Sequence, residues 1–479
     1  MKRLIALMAA MLVFLGTACA GEGEKNGIAL TTIYESPEKM VLEPGDTEQV
    51  ELNVPLGEDN YLRLSYVSDI CLEGVFRYET EEGEREEDFF LREDEDCFSQ
   101  ILDWYGEYSG EKTLISVSLT NVSGERGEIG ISRMEKGKKE IYFDKMAYLE
   151  NESLKVGIVL GWGGGIGFLT RNDQRVEQVK LDDEMQIGVN YSRLPGAVLE
   201  FDEDVNLINS SSAGRAAQVS LYGIPGDRDR NIYDGKIYRT TQTVWPYNPV
   251  QCGDQYNNHS QIVDYEIGEN EIIVKTRALD WAQNFLPSKS YMTCTYRLDG
   301  EVVEAENRYY DWTGIPHQNR RNQEVPAFSG VVPFDTFVTY HGENPFEGEP
   351  LRYYDKLGYW SVAAGANPDD YFSRSDVTEN WSAWINDDDW GIGLYVPDVK
   401  KTVAGRHRDF TLDFEGAATD QVQFNYTAFL SVFSLASYEE LCYRFYLSAG
   451  DVTQMRELFN DMAESGKYRN ENLLAWEAK

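Results

Sequence analysis

Short β-rich runs recur along almost the whole chain, and they restrict the fold more than any other feature. Gln49-Val-Glu-Leu-Asn-Val54, Tyr61-Leu-Arg-Leu-Ser-Tyr66, Gly74-Val-Phe-Arg-Tyr78 and Thr113-Leu-Ile-Ser-Val-Ser-Leu119 alternate or concentrate β-formers. Pro44-Gly45 and Asn121-Val-Ser-Gly124 punctuate them with turn residues. Strands at this spacing argue for sandwiches of antiparallel sheets. The run from Glu81 to Asp96 is thick with carboxylates but carries Phe89-Phe-Leu91, which reads as a solvated strand pair. A chain of 479 residues is too long for one small core, so more than one domain is expected.

The pattern restarts near Met146 with Leu154-Lys-Val-Gly-Ile158, after which Gly161-Trp-Gly-Gly-Gly165 reads as a tight strand-to-strand turn. Strand-like runs then continue to about residue 434. Helical spacing is confined to the end, over Tyr438–Phe445 and Asp451–Ala463. In the second, Val452, Met455, Leu458, Phe459 and Met462 make one apolar stripe behind an Asp451 N-cap. The fold expected is all-β, an N-terminal β-sandwich over 28–145 and a larger β unit over 146–479 ending in a short helical tail.

The first twenty residues are an address. Met1-Lys-Arg3 precedes an apolar run, Leu4–Leu15, too short to remain a membrane anchor. Small residues ahead of Cys19 suit lipidation of that cysteine, although Gly16 stands where such boxes usually carry Leu; cleavage after Ala18-Cys-Ala20 is the rival. Both routes put the protein outside the cytoplasm, with membrane contact only through the lipid. Export permits disulfides, and Cys71–Cys97 and Cys252–Cys294 are candidate pairs. The formal net charge of -38 repels nucleic acid and anionic lipid.

Asn206–Tyr256 interleaves Asn, Gln, Arg and Asp with Trp and Tyr. Amides and guanidinium groups match sugar hydroxyls, and flat rings match the C–H faces of sugars, so a carbohydrate partner is expected. Arg215, Trp245, Gln251, Tyr256, His317, Gln323 and Trp381 are the candidate substrate-binding residues. Asp254, Glu324 and Glu379 are the candidate catalytic carboxyls, with Asp254 and Glu324 the favoured pair, since glycoside hydrolysis uses an acid and a second carboxylate. No cofactor is implied. Calcium has only Asp227-Arg-Asp-Arg-Asn231 in its favour, and Ile232 stands where a calcium loop needs glycine. No histidine–cysteine cluster has metal-binding spacing.

From about Tyr148 onward the chain resembles secreted bacterial proteins with the galactose-mutarotase-like supersandwich. The resemblance rests on Trp162-Gly-Gly-Gly-Ile166, Asn206-Leu-Ile-Asn209, Gly214-Arg215, Tyr247-Asn-Pro-Val-Gln251 with Gly253-Asp254, Asn322-Gln-Glu-Val-Pro-Ala327, Glu379-Asn-Trp381 and Gly391-Ile-Gly-Leu-Tyr395. It implies a carbohydrate-active protein. Similar proteins often carry Arg-His-Gln-Glu where this chain has Arg321-Asn-Gln-Glu324, so a histidine role there is missing. Hydrolysis of a neutral glycan is the first expectation. Glycan binding without catalysis, and sugar epimerisation or polysaccharide lysis, are the alternatives.

Overall fold

In the computed structural model, the described residues are 28–93, 95–106, 110–141, 146–172, 206–208, 216–223, 247–315, 317, 320–331, 334–355, 357, 371–407 and 424–479. The leader with Cys19, the Asp227–Asn231 segment, Arg215 and Trp245 lie outside them. Two compact units emerge, Met1–Glu140 and Ile141–Lys479.

Alternation builds the first unit. In the strand Leu72–Thr80, Leu72, Gly74, Phe76 and Tyr78 turn inward while Glu73, Val75 and Arg77 are half-buried. It hairpins onto Gly83–Leu91, pairing Thr80 with Gly83 and Gly74 with Phe89. A Cβ on Gly74 would sit 2.1 Å from the Phe89 ring, so glycine is what lets that ring lie across the strand. Phe89 stacks on Phe76 at 4.2 Å and on Phe98 of the other sheet at 5.2 Å, joining the inner faces. One sheet holds four strands, Thr47–Gly57, Lys112–Asn121, Leu72–Thr80 and Gly83–Leu91. The other holds five, built on Gly127–Gly137 and Tyr61–Ser68. The acidic run is thus a strand pair, but not wholly a solvated one. Glu87 is half-buried, accepting from the Tyr78 hydroxyl at 2.8 Å and the Asp103 amide at 2.7 Å, and desolvation pushes its carboxyl up.

The second unit links eighteen strands, among the described residues, in one hydrogen-bonded network. A meander of Gln261–Ile267, Glu271–Asp280, Pro287–Asp299 and Val302–Asp311 continues onto Glu440–Asp451, Trp390–Tyr395 and Trp381–Ile385. A second array runs Leu154–Val159, Gly165–Arg171, Ala217–Ser220, Arg321–Gly330, Phe424–Phe433 and Thr402–His407. Trp384 on the first donates to Thr427 on the second at 2.6 Å. The glycine run is a turn: Leu160–Trp162 form one 3-10 turn, and Gly163 and Gly164 take φ of 63° and 72° before the next strand.

Tyr438–Phe445 is not helical. Glu440–Asp451 is a strand, with Leu441, Tyr443 and Phe445 inward and Cys442 and Arg444 half-buried on the other face. An ion ladder across four strands holds that outer face. Arg297 pairs with Glu271 at 3.0 Å and Glu304 at 3.3 Å, Arg308 with Glu306 at 2.8 Å and Glu440 at 2.9 Å, and Arg444 with Glu306. Burial raises the Glu306 carboxyl, but Arg308 and Arg444 together outweigh it and hold it below the usual range. Cys252 and Cys294, expected as a disulfide pair, are buried free thiols.

The helix α1 (Val452–Glu464) begins at Asp451, whose carboxylate accepts from the Thr453 and Gln454 amides at 2.8 and 3.2 Å. Its Val452, Met455, Phe459 and Met462 pack on Trp381, Tyr395 and Tyr446. A second helix, α2 (Glu471–Ala478), buries Leu473 and Trp476, the latter 5.5 Å from the Phe433 ring. No helix among the described residues is long and apolar enough to cross a membrane.

Candidate functional site

Glu324 sits on the strand Arg321–Gly330, between Ser220 and Leu430 of the neighbouring strands. Pleating sends Gln323 and Val325 to the interior and leaves Asn322 exposed and Glu324 half-buried on the opposite face. Gln323 fastens the strand. Its carbonyl oxygen accepts from the Tyr222 amide at 2.7 Å, and its amide donates to the Tyr222 and Phe433 carbonyls at 2.9 and 3.1 Å. The register slips between Glu324 and Ala327, where Pro326 has no N–H to give a ladder.

Two phenols hold the Glu324 carboxylate. Tyr426 donates to Oε1 at 2.5 Å, and Tyr222 makes a second hydrogen bond to it. Burial, followed by the charge of Glu324, pushes the Tyr222 phenol well above its ordinary value, so it stays a proton donor. Beside them Tyr426 packs against a buried apolar cluster of Val403, Ala428 and Leu430. At the rim the Lys401 ammonium donates to Asn322 Oδ1 at 2.7 Å. The result is one half-buried carboxylate between two hydroxyl donors.

The other expected carboxyls occupy different surroundings. Asp254, expected above to be catalytic, is an interior loop anchor. Oδ1 accepts from the Tyr256 and Asn258 amides at 2.8 and 2.9 Å, and Oδ2 from Asn258 Nδ2 and the Phe285 amide, both at 2.7 Å. Burial raises its pKa and these four donors pull it back. Glu379 is wholly buried as the partner of Arg456, which grips both its oxygens at 2.7 and 2.9 Å. Trp381 Nε1 and the Phe346 amide complete its shell at 3.0 and 3.1 Å. That carboxylate clamps α1 to the sheet.

The expected sugar contacts divide the same way. Gln251 and Gln323 are fully buried, and Gln251 bridges the Val219 amide, the Gly163 carbonyl and the Tyr296 hydroxyl. Trp381 is a core residue under α1. His317 is sealed inside, stacked 5.1 Å from the Tyr247 ring with Nε2 3.5 Å from Asp311 Oδ2. Asp311 itself accepts from Tyr247, Thr313 and Ser437. Each is turned away from solvent, Gln323 and Trp381 by strand pairing and Gln251 and His317 by loops packed into the interior. Of these described residues, Tyr256 alone is exposed, at 47%. Arg320, next to the Asn322–Glu324 segment, donates to the Val432 and Glu477 carbonyls. Among the described residues no group of three or more His, Cys, Asp or Glu side chains could hold a metal.

Tyr222 and Tyr426 were not among the expected site residues. Nothing local marks them, because Tyr426 meets Glu324 across 102 residues of sequence.

No protein-family model matches the chain, and no curated protein is similar to it. Among solved structures it is similar to a putative aldose 1-epimerase from Escherichia coli K12, at 11% identity and a TM-score of 0.35 over 64% of this chain and 98% of that one. A galactose mutarotase related enzyme from Lactobacillus acidophilus gives 12% and 0.35 over 64% and 97%. An alpha-mannosidase from Enterococcus faecalis V583 gives 9% and 0.33 over 89% of this chain and 45% of that one.

Proposed function

We propose that the larger unit acts on a saccharide and that Glu324 is its proton-transferring carboxyl. One observation carries this reading. Of the three marked carboxyls, Glu324 alone is not fully buried, and its partners are hydroxyls. In anomer exchange the carboxylate takes the proton of the anomeric hydroxyl while a neighbouring phenol donates to the ring oxygen, so the C1–O5 bond opens, and ring closure on the other face of C1 returns both protons.

The reaction favoured is acid–base transfer at a sugar hydroxyl, as in anomer exchange, rather than hydrolysis. Hydrolysis by the pair expected from sequence needs Asp254 or Glu379 as the second carboxyl. Asp254 has each oxygen held by two donors, and Glu379 is bound to Arg456. The test is NMR measurement of anomer exchange in glucose and galactose. The expected result is catalysis by the wild type and a loss of roughly 10²–10⁴-fold in Glu324→Gln, with smaller losses in Tyr222→Phe and Tyr426→Phe. Wild-type rates in Glu324→Gln would remove the carboxyl from the mechanism.

We also propose export through the N-terminal leader, with cleavage before Cys19 and lipidation of that cysteine. Cys19→Ser is expected to shift the protein from the membrane fraction to the soluble one in a bacterial host.

A further inference from the structure

Asp254 organises a second surface. Its carboxylate receives main-chain donors from two separate loops, the Tyr256 amide at 2.8 Å and the Phe285 amide at 2.7 Å. Asn258 Nδ2 reinforces the join, lying 2.7 Å from Asp254 Oδ2 and 2.8 Å from Asn284 Oδ1. Gln255 adds its amide to the Trp281 carbonyl at 3.0 Å and its side chain to the Ala282 carbonyl at 3.3 Å. The loops 255–259 and 281–287 are therefore one pre-organised unit.

What this unit presents is unusual for the chain. Tyr256 and Phe285 are 47% and 43% exposed, and Asn284 is exposed between them and Asn258. Phe285 is held at φ 54°, a conformation disfavoured for a bulky L-residue. The two loops read Gln-Tyr-Asn-Asn-His and Trp-Ala-Gln-Asn-Phe-Leu-Pro, with no carboxylate, Lys or Arg, in a protein of formal net charge -38. Rings that offer flat apolar faces, amides that offer paired donors and acceptors, and no ionic group are the requirements of a neutral polyhydroxyl ligand. Lys or Arg would be needed for an anionic one.

We infer that the Tyr256–Phe285 surface is an accessory binding site for a neutral polysaccharide, separate from the Glu324 site. The inference rests on the saccharide reading of the larger unit. Stacking on the two rings grips the chain, and Asn258 and Asn284 meet its hydroxyls. Asp254 is the positioning residue, since it touches the loops and not the ligand.

The experiment is native gel electrophoresis of the full-length protein with soluble starch, laminarin, galactomannan or xyloglucan cast into the gel. The wild type is expected to be retarded by at least one of them. Tyr256→Ala and Phe285→Gly are expected to run as in a polymer-free gel. Glycine accepts the positive φ, so Phe285→Gly removes the ring while keeping the loop, and its melting temperature should match the wild type. Glu324→Gln should remain retarded. That separates the two readings, because a failure of the Glu324 proposal shows as turnover surviving in Glu324→Gln and leaves retardation untouched. Full retardation of both loop variants, or wild-type mobility unchanged by every polymer, overturns the inference. So does a wild-type dimer on size exclusion that the loop variants break, since the surface would then bind a second copy.

Discussion

His259 couples the stability of the fold to pH in mild acid. It packs 5.2 Å from the Trp162 ring, and burial lowers its pKa from 6.5 to about 4. Above pH 6.5 the imidazole is neutral in both the folded and unfolded states and contributes no pH slope. Between 6.5 and 4 the unfolded chain binds a proton that the folded protein refuses, so stability is lost as pH falls. The loss is on the order of 2 kcal/mol once the shift is discounted for residual solvent. Urea midpoints at pH 7 and pH 4.5 check it. His259→Phe should reduce the difference, and an unchanged difference would clear His259. The carboxyls of Glu87 and Asp254 act with the opposite sign, because their raised pKa values favour the folded state as pH falls. The comparison between variant and wild type isolates the histidine from them.

At the level of elements, α1 shows a charge pair acting as a fastener. Glu379 and Arg456 are both largely buried, and the Arg456 guanidinium also lies 5.2 Å over the Tyr340 ring. Removing one partner strands a buried charge, so Arg456→Met should destabilise by about 3–5 kcal/mol, and Arg456→Met with Glu379→Gln by less. Thermal melts of the single and double variants check this; additive losses would mean the two residues act independently. The helix itself was legible, because an aspartate cap and an apolar stripe at 3.6 spacing are both local signals. Tyr438–Phe445 was not. Its apolar residues satisfy either period, and only the pairing of Val303–Tyr310 with Glu440–Leu447 selects the strand.

On the scale of the whole molecule, each of the two units has its own sheets and core. Calorimetry is expected to show more than one unfolding transition, with Arg456→Met lowering only the one that belongs to the larger unit; a single transition shifted as a block would oppose this. The sequence by itself determined the all-β character, the capped helix, the turn at the glycine run and Glu324 as a marked carboxyl, because period-two alternation and turn chemistry act between near neighbours. Only the tertiary structure decided which marked residues are buried among protein partners and which stay open to solvent. Asp254 meets Phe285 across 31 residues and Glu379 meets Arg456 across 77, and such partners bury a carboxylate that looks free in one dimension. A side chain's chemistry depends on whether water or protein satisfies its polar atoms, and long-range strand pairing settles that.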